Sequence, residues 1–485
     1  MIGITSYGGY IPRYRLNRMT VAREMAWYNP VIFAVAGGEK SVANWDEDSV
    51  TMAVAAARDC LSETGNDGID AVYFASTTMP YADRQNAGII SGALNLPEQG
   101  VNTADFGSSV RAGTTALVSA IKAVKSGLNN SVMVAASDQR SAKVATMYEM
   151  FFGDGAGAVL VGKDNVIAEF TGHYSHSCDF VDHYRGSARR FDYFWEERWI
   201  RDEGFARIIP DAINAFLEKS SMKISDFRHV VYPCYYKREH ANIARKIGAD
   251  PENVTDNMND VCGFTGAAHA IMMLVSALEK SEPGDRILLA CMGQGCDVLA
   301  LQVTDAVKKY KKGMAISGSL ERKVELQSYQ KYIKFMELIE SDLGIRGEAN
   351  PNTSLTTLWR NRKMLLGFVG GRCTRCGTAQ FPAGPVCVNP DCGAVNSMED
   401  YEFAGRSGKI LMYTGDMLSA SVDPPAKYGL VGFEGGGRAF LDFTDCELDQ
   451  LQVNMPIVMS FRRRYVDRTR GFTGYFWKAV PQVSV

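Results

Sequence analysis

Apolar and polar positions divide the first 305 residues of the chain into two kinds of segment. One kind is short, apolar and rich in β-branched or small side chains, which is typical of buried strands. These segments cover residues 71–75, 131–136, 156–161, 229–232, 286–291 and 298–303. Between them lie segments with apolar residues at helical spacing, such as 49–63, 113–126 and 267–280. This alternation predicts an α/β fold with a largely buried sheet.

Two stretches of this region resemble each other. Residues 111–137 and 264–292 both read as small residues, an apolar helix, a Lys-Ser turn and a strand. Upstream of them, VYFAST and VVYPCY stand in matching places, at 72–77 and 230–235. The pattern predicts a duplicated fold with a site between its two halves. The alternative is chance similarity between two amphipathic helices that are each followed by a strand.

The pattern changes after residue 305. Residues 328–344 place apolar side chains at helical spacing and predict an amphipathic helix, and the composition of EANPNTS at 348–354 indicates a linker. Residues 401–482 lose helical period and contain five short strand-like segments separated by Gly, Pro and Asp. These segments are GKILMYTG, KYGLVGF, GRAFLDFT, PIVMSF and GYFWKAV. Five short strands predict a small β-barrel.

Composition narrows the class of protein. A chain of 485 residues is too long for one core, so several domains are expected. A net charge of −3 shows no electrostatic signature for nucleic acid or a membrane surface, and we expect neither as a partner. The sequence has no apolar run of transmembrane length and no secretory pattern at its start, so we predict a cytoplasmic location.

A cluster of cysteines stands out in the last third of the chain. The stretch GRCTRCGTAQFPAGPVCVNPDCG contains two close pairs, each followed by a glycine, Gly377 or Gly393. Four thiolates on two tight turns match the ligand set of a structural zinc ion. The predicted zinc ligands are Cys373, Cys376, Cys387 and Cys392. Two disulfides are the alternative interpretation of the same spacing.

Three segments carry a resemblance to a known family. MIGITSYGGYIPRYRL, GEKSVANWDEDSVTMAVAAARDCL and MFFGDGAGAVLVG resemble the 3-hydroxy-3-methylglutaryl-CoA synthase branch of the thiolase superfamily. The resemblance covers residues 1–345 and implies a duplicated thiolase-type αβαβα sandwich. Residues 365–485 resemble accessory proteins that partner thiolases and help to bind a CoA thioester. In those proteins a rubredoxin-like zinc ribbon precedes an OB-type β-barrel.

The resemblance implies four regions along the chain. These are a thiolase-like domain (1–345), a linker (346–364), a zinc ribbon (365–400) and an OB-fold domain (401–485). It also implies an acyl-CoA substrate and structural Zn²⁺. A homo-oligomer of at least two chains is expected, since thiolase-type cores commonly pair. A hetero-complex with an active thiolase is an alternative assembly.

The catalytic residues of that family do not carry over. The family uses a cysteine nucleophile, a histidine and a glutamate. The AGT and KSG motifs of this chain both place the cysteine position at Val110, and a shift of one residue would place it at Ser109. The histidine position falls at Pro233 and the glutamate position at Thr77, and a related asparagine position falls at Gly263. Valine cannot form a thioester and proline cannot transfer a proton.

Other polar groups stand near the missing ones. Tyr235 and Tyr236 follow a predicted strand, and a tyrosine with a lowered pKa can act as an acid or stabilise an oxyanion. His269 stands in the second-half helix. Packing in the core is the alternative for all three side chains. Cys262, Cys291 and Cys296 cluster in second-half loops and are most simply buried thiols. Gly293 and Gly295 stand in a glycine-rich loop after a predicted strand. In the superfamily, the equivalent loop donates a backbone amide to the thioester oxygen.

These observations leave three functional hypotheses open. The first is an acyl-CoA enzyme of the aldolase or retro-aldolase kind, which makes or breaks a carbon–carbon bond without a covalent cysteine. The second is a non-catalytic scaffold subunit of a thiolase complex. The third is a hydroxymethylglutaryl-CoA synthase-type acyltransferase whose site is out of register with these positions.

Overall fold

The computed structural model describes residues 1–341 and 354–482. Contacts between residues group the chain into two compact units. The large unit contains Met1–Ala43, Asp48–Ile90 and Pro97–Leu338, and the small unit contains Asn44–Glu47, Ser91–Leu96 and the described part of Ile339–Val485. The four domain limits of the sequence analysis stay predictions.

A nine-stranded sheet forms the centre of the large unit. In chain order its strands are β1 (Gly3–Tyr10), β2 (Ala71–Ala75), β3 (Asn102–Phe106), β4 (Val132–Gln139), β5 (Asp154–Gly162), β6 (Ala168–Ser177), β7 (His229–Val231), β8 (Arg286–Met292) and β9 (Gly295–Val303). Their order across the sheet is β7-β8-β9-β6-β1-β5-β4-β2-β3. All six strands predicted in this region are present. Strands β1, β3 and β6 were not predicted, and β3 and β6 are only partly buried.

The strand order confirms the predicted duplication. From the central β1–β6 pair, one half runs β1-β5-β4-β2 and the other runs β6-β9-β8-β7. The first two pairings of each half are antiparallel and the third is parallel. Two amphipathic helices that resembled each other by chance would not share three strand pairings in the same sequence.

Four helices complete the layers of the sandwich. They are α1 (Ser49–Cys60), α2 (Ala112–Ser126), α3 (Ile209–Ser220) and α4 (His269–Leu278). Helix α1 packs outside the first half-sheet and α3 outside the second, while α4 contacts strands of both halves. Helices α2 and α4 therefore form the middle layer. Gly113 permits their close approach, since a Cβ atom there would lie 2.5 Å from the Ala267 carbonyl oxygen. This is the predicted αβαβα arrangement.

Shorter elements surround these layers. The other helical segments of the large unit are Arg18–Met25, Pro30–Val35, Asn86–Ala93, Met147–Phe151, Glu197–Trp199, Ile200–Ile208, Ile224–Asp226, Lys237–Ile247, Pro251–Asn253, Gly266–Ala268, Asp305–Lys309, Ala315–Glu321 and Tyr329–Phe335. Strands Tyr14–Asn17, Glu39–Val42 and Val324–Glu325 form one small sheet, and His183–Tyr184 pairs with Tyr193–Phe194. We call this second pair the 183–194 hairpin.

The helix predicted over 328–344 is shorter than expected. It runs from Tyr329 to Phe335, and residues 342–344 lie outside the described residues. Glu337 takes a left-handed conformation (φ 54°), and the Leu338 amide donates to the Ile333 carbonyl at 2.8 Å. This 6→1 bond ends the helix in the manner of a Schellman motif, which the apolar spacing alone did not reveal.

The motifs that carry the family resemblance meet inside the large unit. The Ser41 hydroxyl donates to the Asp154 carbonyl at 2.6 Å, and the Ala43 amide donates to the Asp154 carboxylate at 2.8 Å. The Lys40 ammonium donates to the Glu149 carbonyl at 2.5 Å. Burial lowers the pKa of Lys40 to about 8 and raises the pKa of the Glu149 carboxyl. These motifs therefore join buried strands and loops of the fold.

The small unit contains two sheets. Strands β10 (Val369–Cys373), β11 (Ala379–Gln380) and β12 (Met398–Glu402) form the first. The second contains β13 (Gly408–Asp416), β14 (Ala426–Phe433), β15 (Arg438–Asp442), β16 (Pro456–Asp467) and β17 (Phe472–Pro481), in the order β15-β14-β13-β16-β17. All five predicted strands are confirmed. A bridge between Phe443 and Ala479 brings the ends of the two edge strands together. The OB-type identity of this sheet stays a prediction.

Part of the predicted linker is helical. Residues 346–353 lie outside the described residues, but Leu355–Arg360 and Arg362–Leu366 are helical. The Leu366 carbonyl accepts a hydrogen bond from the indole of Trp477 at 2.6 Å, which ties the second helix to the small unit. One further helical turn is Leu448–Gln450. Within 1–341 and 354–482, no helix combines the length and apolar character that crossing a bilayer requires.

Candidate active site and candidate metal centre

A small cavity of about 10 Å³ lies in the large unit where the two halves of the fold meet. Val110, just before α2, contributes to its wall from the first half. Pro233 and Tyr235 follow β7, and Met292 ends β8, so the second half contributes too. The 183–194 hairpin supplies His183. The cavity therefore lies where ligand sites are expected, beyond strand ends and between similar halves.

Val110 and Pro233 line this cavity together. These are the residues at the predicted cysteine and histidine positions, and Val110 is buried. The alternative nucleophile, Ser109, does not line the cavity. Its hydroxyl donates to the Gly293 carbonyl at 2.9 Å, and no described histidine or carboxylate receives its proton. Ser109 therefore has no base that would activate it.

Thr77 lies outside the cavity and belongs to a separate polar network. Its amide and hydroxyl donate to the Asp138 carboxylate at 2.7 and 2.8 Å. Asp138 is fully buried at the end of β4 and also accepts from Ser76, Thr78 and the Ala267 amide. This carboxylate was not predicted, although a charged residue directly after a buried strand was visible in the sequence. With all these donors, Asp138 holds the loops of both halves in place.

Tyr235 lines the cavity, whereas Tyr236 packs behind it at a ring distance of 4.5 Å. Burial raises the pKa of both phenols well above the ordinary value; Tyr236 and Asp182 raise the pKa of Tyr235 further, and Tyr148 raises that of Tyr236. Neither hydroxyl makes a hydrogen bond of normal geometry to a described residue. The lowered pKa considered for these tyrosines is therefore wrong. Tyr235 is a neutral hydrogen-bond donor without a partner.

His269 is a histidine of the core. Its Nδ1 accepts from the Thr265 amide at 3.1 Å, and its Nε2 pairs with the Asn257 carbonyl at 2.8 Å. Burial lowers its pKa to about 4, so the ring is neutral. Both nitrogens have partners and the ring does not line the cavity. The structure thus places His269 in the core, whereas Tyr235, with which it was grouped as a catalytic candidate, lines the cavity.

The glycine loop after β8 does not present the expected amide. The Gly293 amide donates to the Gly295 carbonyl at 2.8 Å, so its proton is already used within the loop. Gly293 instead allows close packing, since a Cβ there would lie 3.0 Å from Val110 Cγ2. Gly295 takes φ +110°, a conformation that favours glycine. In this conformation the loop shapes the wall behind Val110.

The nearby cysteines are protonated thiols. Burial raises the pKa of Cys262 and of Cys291 to about 12, and raises that of Cys296 well above its ordinary value. Cys291 lines the cavity beside Val110. A thiol of this pKa is almost never a thiolate near neutral pH, so none of the three replaces the missing nucleophile.

One wall of the cavity is polar and was not predicted. It is formed by Arg140, Asp182 and His183. Asp182 and His183 pair, with 3.0 Å between Oδ2 and Nδ1. Behind them, Asp192 pairs with Arg140 and, at 3.0 Å, with Arg185. Apart from Arg140, which directly follows β4, these groups come from the segment 180–194, which contains none of the positions predicted from the family.

Arg140 is the most deeply buried cation of this wall. Its guanidinium stacks over Phe152 at 4.4 Å and its Nη2 bonds to Asp192, but its Nε has no hydrogen-bond partner among the described residues. The only signal in the sequence was indirect, because FVDHYRGSARRFDYF places charges and one of six histidines among aromatic residues. Their convergence required the hairpin to fold over the cavity.

The four predicted cysteines of the small unit lie together. Their Sγ atoms are all within 4.8 Å of one another, with 3.9 Å between Cys373 and Cys392 and 3.5 Å between Cys376 and Cys387. Tetrahedral zinc with Zn–S bonds near 2.3 Å separates its sulfurs by about 3.8 Å, whereas a disulfide needs about 2.05 Å. All four are free cysteines. The residues fit zinc and exclude the disulfide alternative.

Local turns produce this arrangement. Gly377 (φ +75°) and Gly393 (φ +53°) take the left-handed conformation that closes each knuckle. The Gly377 amide donates to the Cys373 carbonyl at 2.8 Å, and the Gly393 amide to the Asn389 carbonyl at 3.1 Å. Hydroxyls of Ser397 and Thr378 lie 3.3 and 3.2 Å from the sulfurs of Cys373 and Cys376. Such second contacts orient the ligands of a metal.

Comparisons with known proteins agree with this geometry. Models of 3-oxoacyl-[acyl-carrier-protein] synthase III and of its C-terminal part match residues 104–176 and 217–304. A hydroxymethylglutaryl-CoA synthase of Pyrobaculum arsenaticum is 31% identical over 348 residues, which cover 70% of this chain and 99% of that protein. The one of Methanocaldococcus jannaschii is 30% identical over 350 residues, 70% of this chain and 100% of the relative.

The chain belongs to the hydroxymethylglutaryl-CoA synthase family. A model of the ChsH2 rubredoxin-like zinc ribbon domain also matches residues 366–396. The predicted resemblance is thus confirmed for the thiolase-type fold and for the zinc ribbon.

Solved structures share the fold of the large unit. A hydroxymethylglutaryl-CoA synthase complexed with CoA superposes with a TM-score of 0.62 at 20% identity, over 73% of this chain and 94% of that one. The 3-oxoacyl-(acyl carrier protein) synthase III of Pseudomonas aeruginosa gives a TM-score of 0.56 at 22% identity, over 63% and 98%. At 20% and 22% identity, these similarities show a shared fold and nothing more.

Proposed function

We propose that the large unit binds an acyl-CoA with its thioester group at this cavity, and that it makes or breaks a carbon–carbon bond without an acyl-enzyme. The family supports the substrate class, since relatives are hydroxymethylglutaryl-CoA synthases and one related structure contains CoA. The residues of the cavity support the absence of a covalent step. Val110 offers no nucleophile, and the thiol nearest to it is protonated.

A pair of unpartnered donors carries this proposal. The Tyr235 hydroxyl and the Arg140 Nε–H are both buried, both belong to residues that line the cavity, and neither has a hydrogen-bond partner among the described residues. An unpaired buried donor costs about 1–3 kcal/mol, and more when it is charged. Native proteins rarely keep two such groups in one cavity unless a ligand pairs with them.

The chemistry of these donors fits an enolate. When the bond between Cα and Cβ of a 3-hydroxyacyl-CoA breaks, negative charge develops on the thioester oxygen. A neutral phenol and a guanidinium that are buried in the wall of a cavity can stabilise such charge with little reorganisation. The reverse reaction, condensation of an acyl-CoA with an aldehyde, uses the same stabilisation. Neither direction needs a nucleophile at Val110.

The small unit would hold zinc through Cys373, Cys376, Cys387 and Cys392. A zinc ion with four cysteine ligands has no open position for a substrate, so it would stabilise the ribbon and supply no chemistry.

We also propose that the chain assembles at least as a dimer, as symmetric pairs are the commonest soluble oligomers. Light scattering at micromolar concentration should give twice the chain mass of 53.3 kDa or more. A monomer under those conditions would contradict this part of the proposal.

The test of the function is an assay with homogeneous chain. Incubation with a set of 3-hydroxyacyl-CoA esters should release an aldehyde or ketone together with the shorter acyl-CoA. Intact-protein mass spectrometry after incubation with acetyl-CoA should show no added acyl mass. A stable acyl group on Ser109, or on a cysteine of the large unit, would instead support a covalent synthase. No cleavage or condensation by pure chain, with activity only beside a cysteine-bearing thiolase, would support a scaffold role.

A further inference from the structure

We propose that the Asp182–His183 pair is the acid–base group of the cavity. This inference rests on the proposed function and adds to it the residue that moves the proton. A carbon–carbon cleavage or condensation needs such a group, and the donors described above do not supply it. Tyr235 has a pKa raised by burial, so it does not release its proton near neutral pH, and a guanidinium does not release one either.

The geometry of the pair is that of an oriented imidazole. His183 Nδ1 lies 3.0 Å from Asp182 Oδ2, and both side chains are largely buried, with 13% and 5% of their surface exposed. The ring stacks on Phe194, the paired residue of the 183–194 hairpin, at 5.5 Å and 22°. The carboxylate and the stack hold the imidazole in one orientation, as a carboxylate does for a catalytic histidine.

The second ring nitrogen is available to a ligand. His183 lines the cavity, and its Nε2 has no hydrogen-bond partner among the described residues. Asp182 is itself fixed by the Gln294 amide, at 3.4 Å, from the loop between β8 and β9. The hairpin therefore places an imidazole, a group that can accept and donate a proton, against the same cavity as the two unpartnered donors.

The charges around the His183 ring nearly cancel. Asp182 faces Nδ1, and Asp192 lies close enough to interact electrostatically with the ring. Asp192 is in turn paired with Arg140 and Arg185. From the second half, Tyr235 contributes only a neutral hydroxyl. Two carboxylates and two guanidinium groups thus surround the imidazole with charges that nearly cancel.

The step can be written with all atoms balanced. His183 Nε2 takes the proton of the 3-hydroxyl group, the Cα–Cβ bond breaks, and a carbonyl compound forms. The electron pair of that bond moves into the thioester as an enolate, whose oxygen accepts hydrogen bonds from Tyr235 and Arg140. The protonated imidazole then gives the same proton to Cα, which produces the shorter acyl-CoA. The ring returns to its first state, and no oxidant, reductant or further reactant is required.

Exchange of hydrogen at Cα tests this step without the second substrate. Acetyl-CoA is incubated with the full chain in D₂O, and deuterium in its methyl group is measured by mass spectrometry. We expect exchange by the wild type and a decrease of roughly 10²-fold or more in His183→Gln, the usual scale for a lost acid–base group. His173→Gln is the matched control. It changes a partly exposed histidine of β6 outside the cavity and should exchange like the wild type.

Asp182→Asn separates orientation from folding. It keeps the size of the side chain but no longer stabilises the protonated imidazole. We expect it to lower kcat more than it changes KM, and to shift the acid limb of the pH–rate profile, which a purely structural change would not do. Thermal unfolding of both variants checks that the hairpin still folds.

The outcomes separate this inference from the proposed function. Exchange or cleavage that His183→Gln leaves at the wild-type rate would overturn the role of His183 while the proposed function stands. Absence of both exchange and cleavage in the wild type would overturn the proposed function and this inference with it. Histidine NMR gives an independent reading: acetyl-CoA should shift the His183 ring signals and leave those of His173 unchanged. Unchanged His183 signals in the presence of bound acetyl-CoA would contradict the assignment.

Discussion

The cysteine cluster and the cavity are built in opposite ways. All four cysteines come from one short stretch, 373–392, and two glycine turns bring their sulfurs within 4.8 Å of one another. The cavity draws on residues from Val110 to Met292, carried by both halves of the duplicated fold and by the 183–194 hairpin. The first site is local in sequence, and the second exists only after the sheet and its loops have assembled.

This difference predicts different responses to substitution. Every ligand of a four-cysteine zinc site is essential, because the metal binds the set as a unit and its binding energy supports folding. In the cavity the roles are divided. Tyr235 holds an unpartnered hydroxyl, Asp192 beside the cavity balances buried charge, and neither holds the fold alone. Loss of one cavity residue should therefore lower activity or stability by a limited amount.

The largest effect is expected at the zinc ribbon. Purified wild type should contain one zinc per chain, and Cys387→Ser should lose it, together with the folding of the ribbon. Zinc binding by such sites is worth about 10–16 kcal/mol, far more than any single contact. Elemental analysis and thermal unfolding measure both changes. Cys178→Ser, which removes a partly buried free thiol from the large unit, should keep its zinc. A wild type with well under one equivalent of zinc or iron would contradict the prediction.

The next effect concerns buried charge beside the cavity. Asp192→Asn leaves the guanidinium groups of Arg140 and Arg185 without their carboxylate, and breaking a buried pair costs about 3–5 kcal/mol. Chemical denaturation at pH 7 measures this loss, with the zinc content unchanged.

The same pair predicts a dependence on pH. Burial opposes ionisation of Asp192, but Arg140, His183 and Arg185 lower its pKa below the ordinary value. This stabilisation is present above the ordinary pKa of about 4 and disappears as the pH falls through the lower folded value. The wild type should therefore lose part of its advantage over Asp192→Asn in acid. A constant difference between the two proteins would contradict this assignment.

A smaller effect is expected when one donor is removed from the cavity. Tyr235→Phe keeps the ring and its packing but removes the unpartnered hydroxyl, and kcat should fall by roughly 10²-fold, the scale of one lost oxyanion donor. Tyr184→Phe is a suitable control, since that ring is 57% exposed on the other side of the hairpin. Equal activity of both variants would show that Tyr235 only fills space.

The smallest effect separates His269 from the cavity. Its pKa is lowered by burial from 6.5 to about 4, so the unfolded chain binds a proton at this residue that the folded chain excludes. The contribution of neutral His269 to the free energy of unfolding is fully present above pH 6.5. It decreases as the pH falls toward 4, by about 2 kcal/mol between pH 7 and 5. NMR titration of the ring should show no protonation near pH 6.5. A midpoint near 6.5 would return His269 to the list of acid–base candidates.

Several features were accessible from the sequence because they depend on local pattern. The strands at 71–75 and 286–291 were visible from their apolar β-branched residues, and the repeat revealed the duplication. The helix over 328–344 was overestimated, because apolar spacing does not report the left-handed turn at Glu337 that ends it. The helices Leu355–Arg360 and Arg362–Leu366, which lie mostly in the predicted linker 346–364, were not predicted, because the bond that ties Leu366 to Trp477 joins distant parts of the chain.

The candidate site shows the same limit more sharply. Family motifs directed attention to Val110, Pro233 and Thr77, and the structure brings the first two together at one cavity and leaves the third outside it. Comparison with family motifs could not identify residues that match no catalytic position of the family. His183, Asp182 and Arg140 acquire meaning only through their contacts, as a histidine in a charged loop has no distinctive spacing.

The sequence by itself determined the ribbon, the alternation of strands and helices and the duplication. Each of these depends on residue type at short spacing or on a repeat. The tertiary structure decided which polar groups face the cavity, which of them have partners, and whether a buried histidine or tyrosine is charged. Those properties depend on desolvation and on neighbours far away in the chain. Folding put His269 between Thr265 and Asn257, and put His183 beside Asp182 against the cavity.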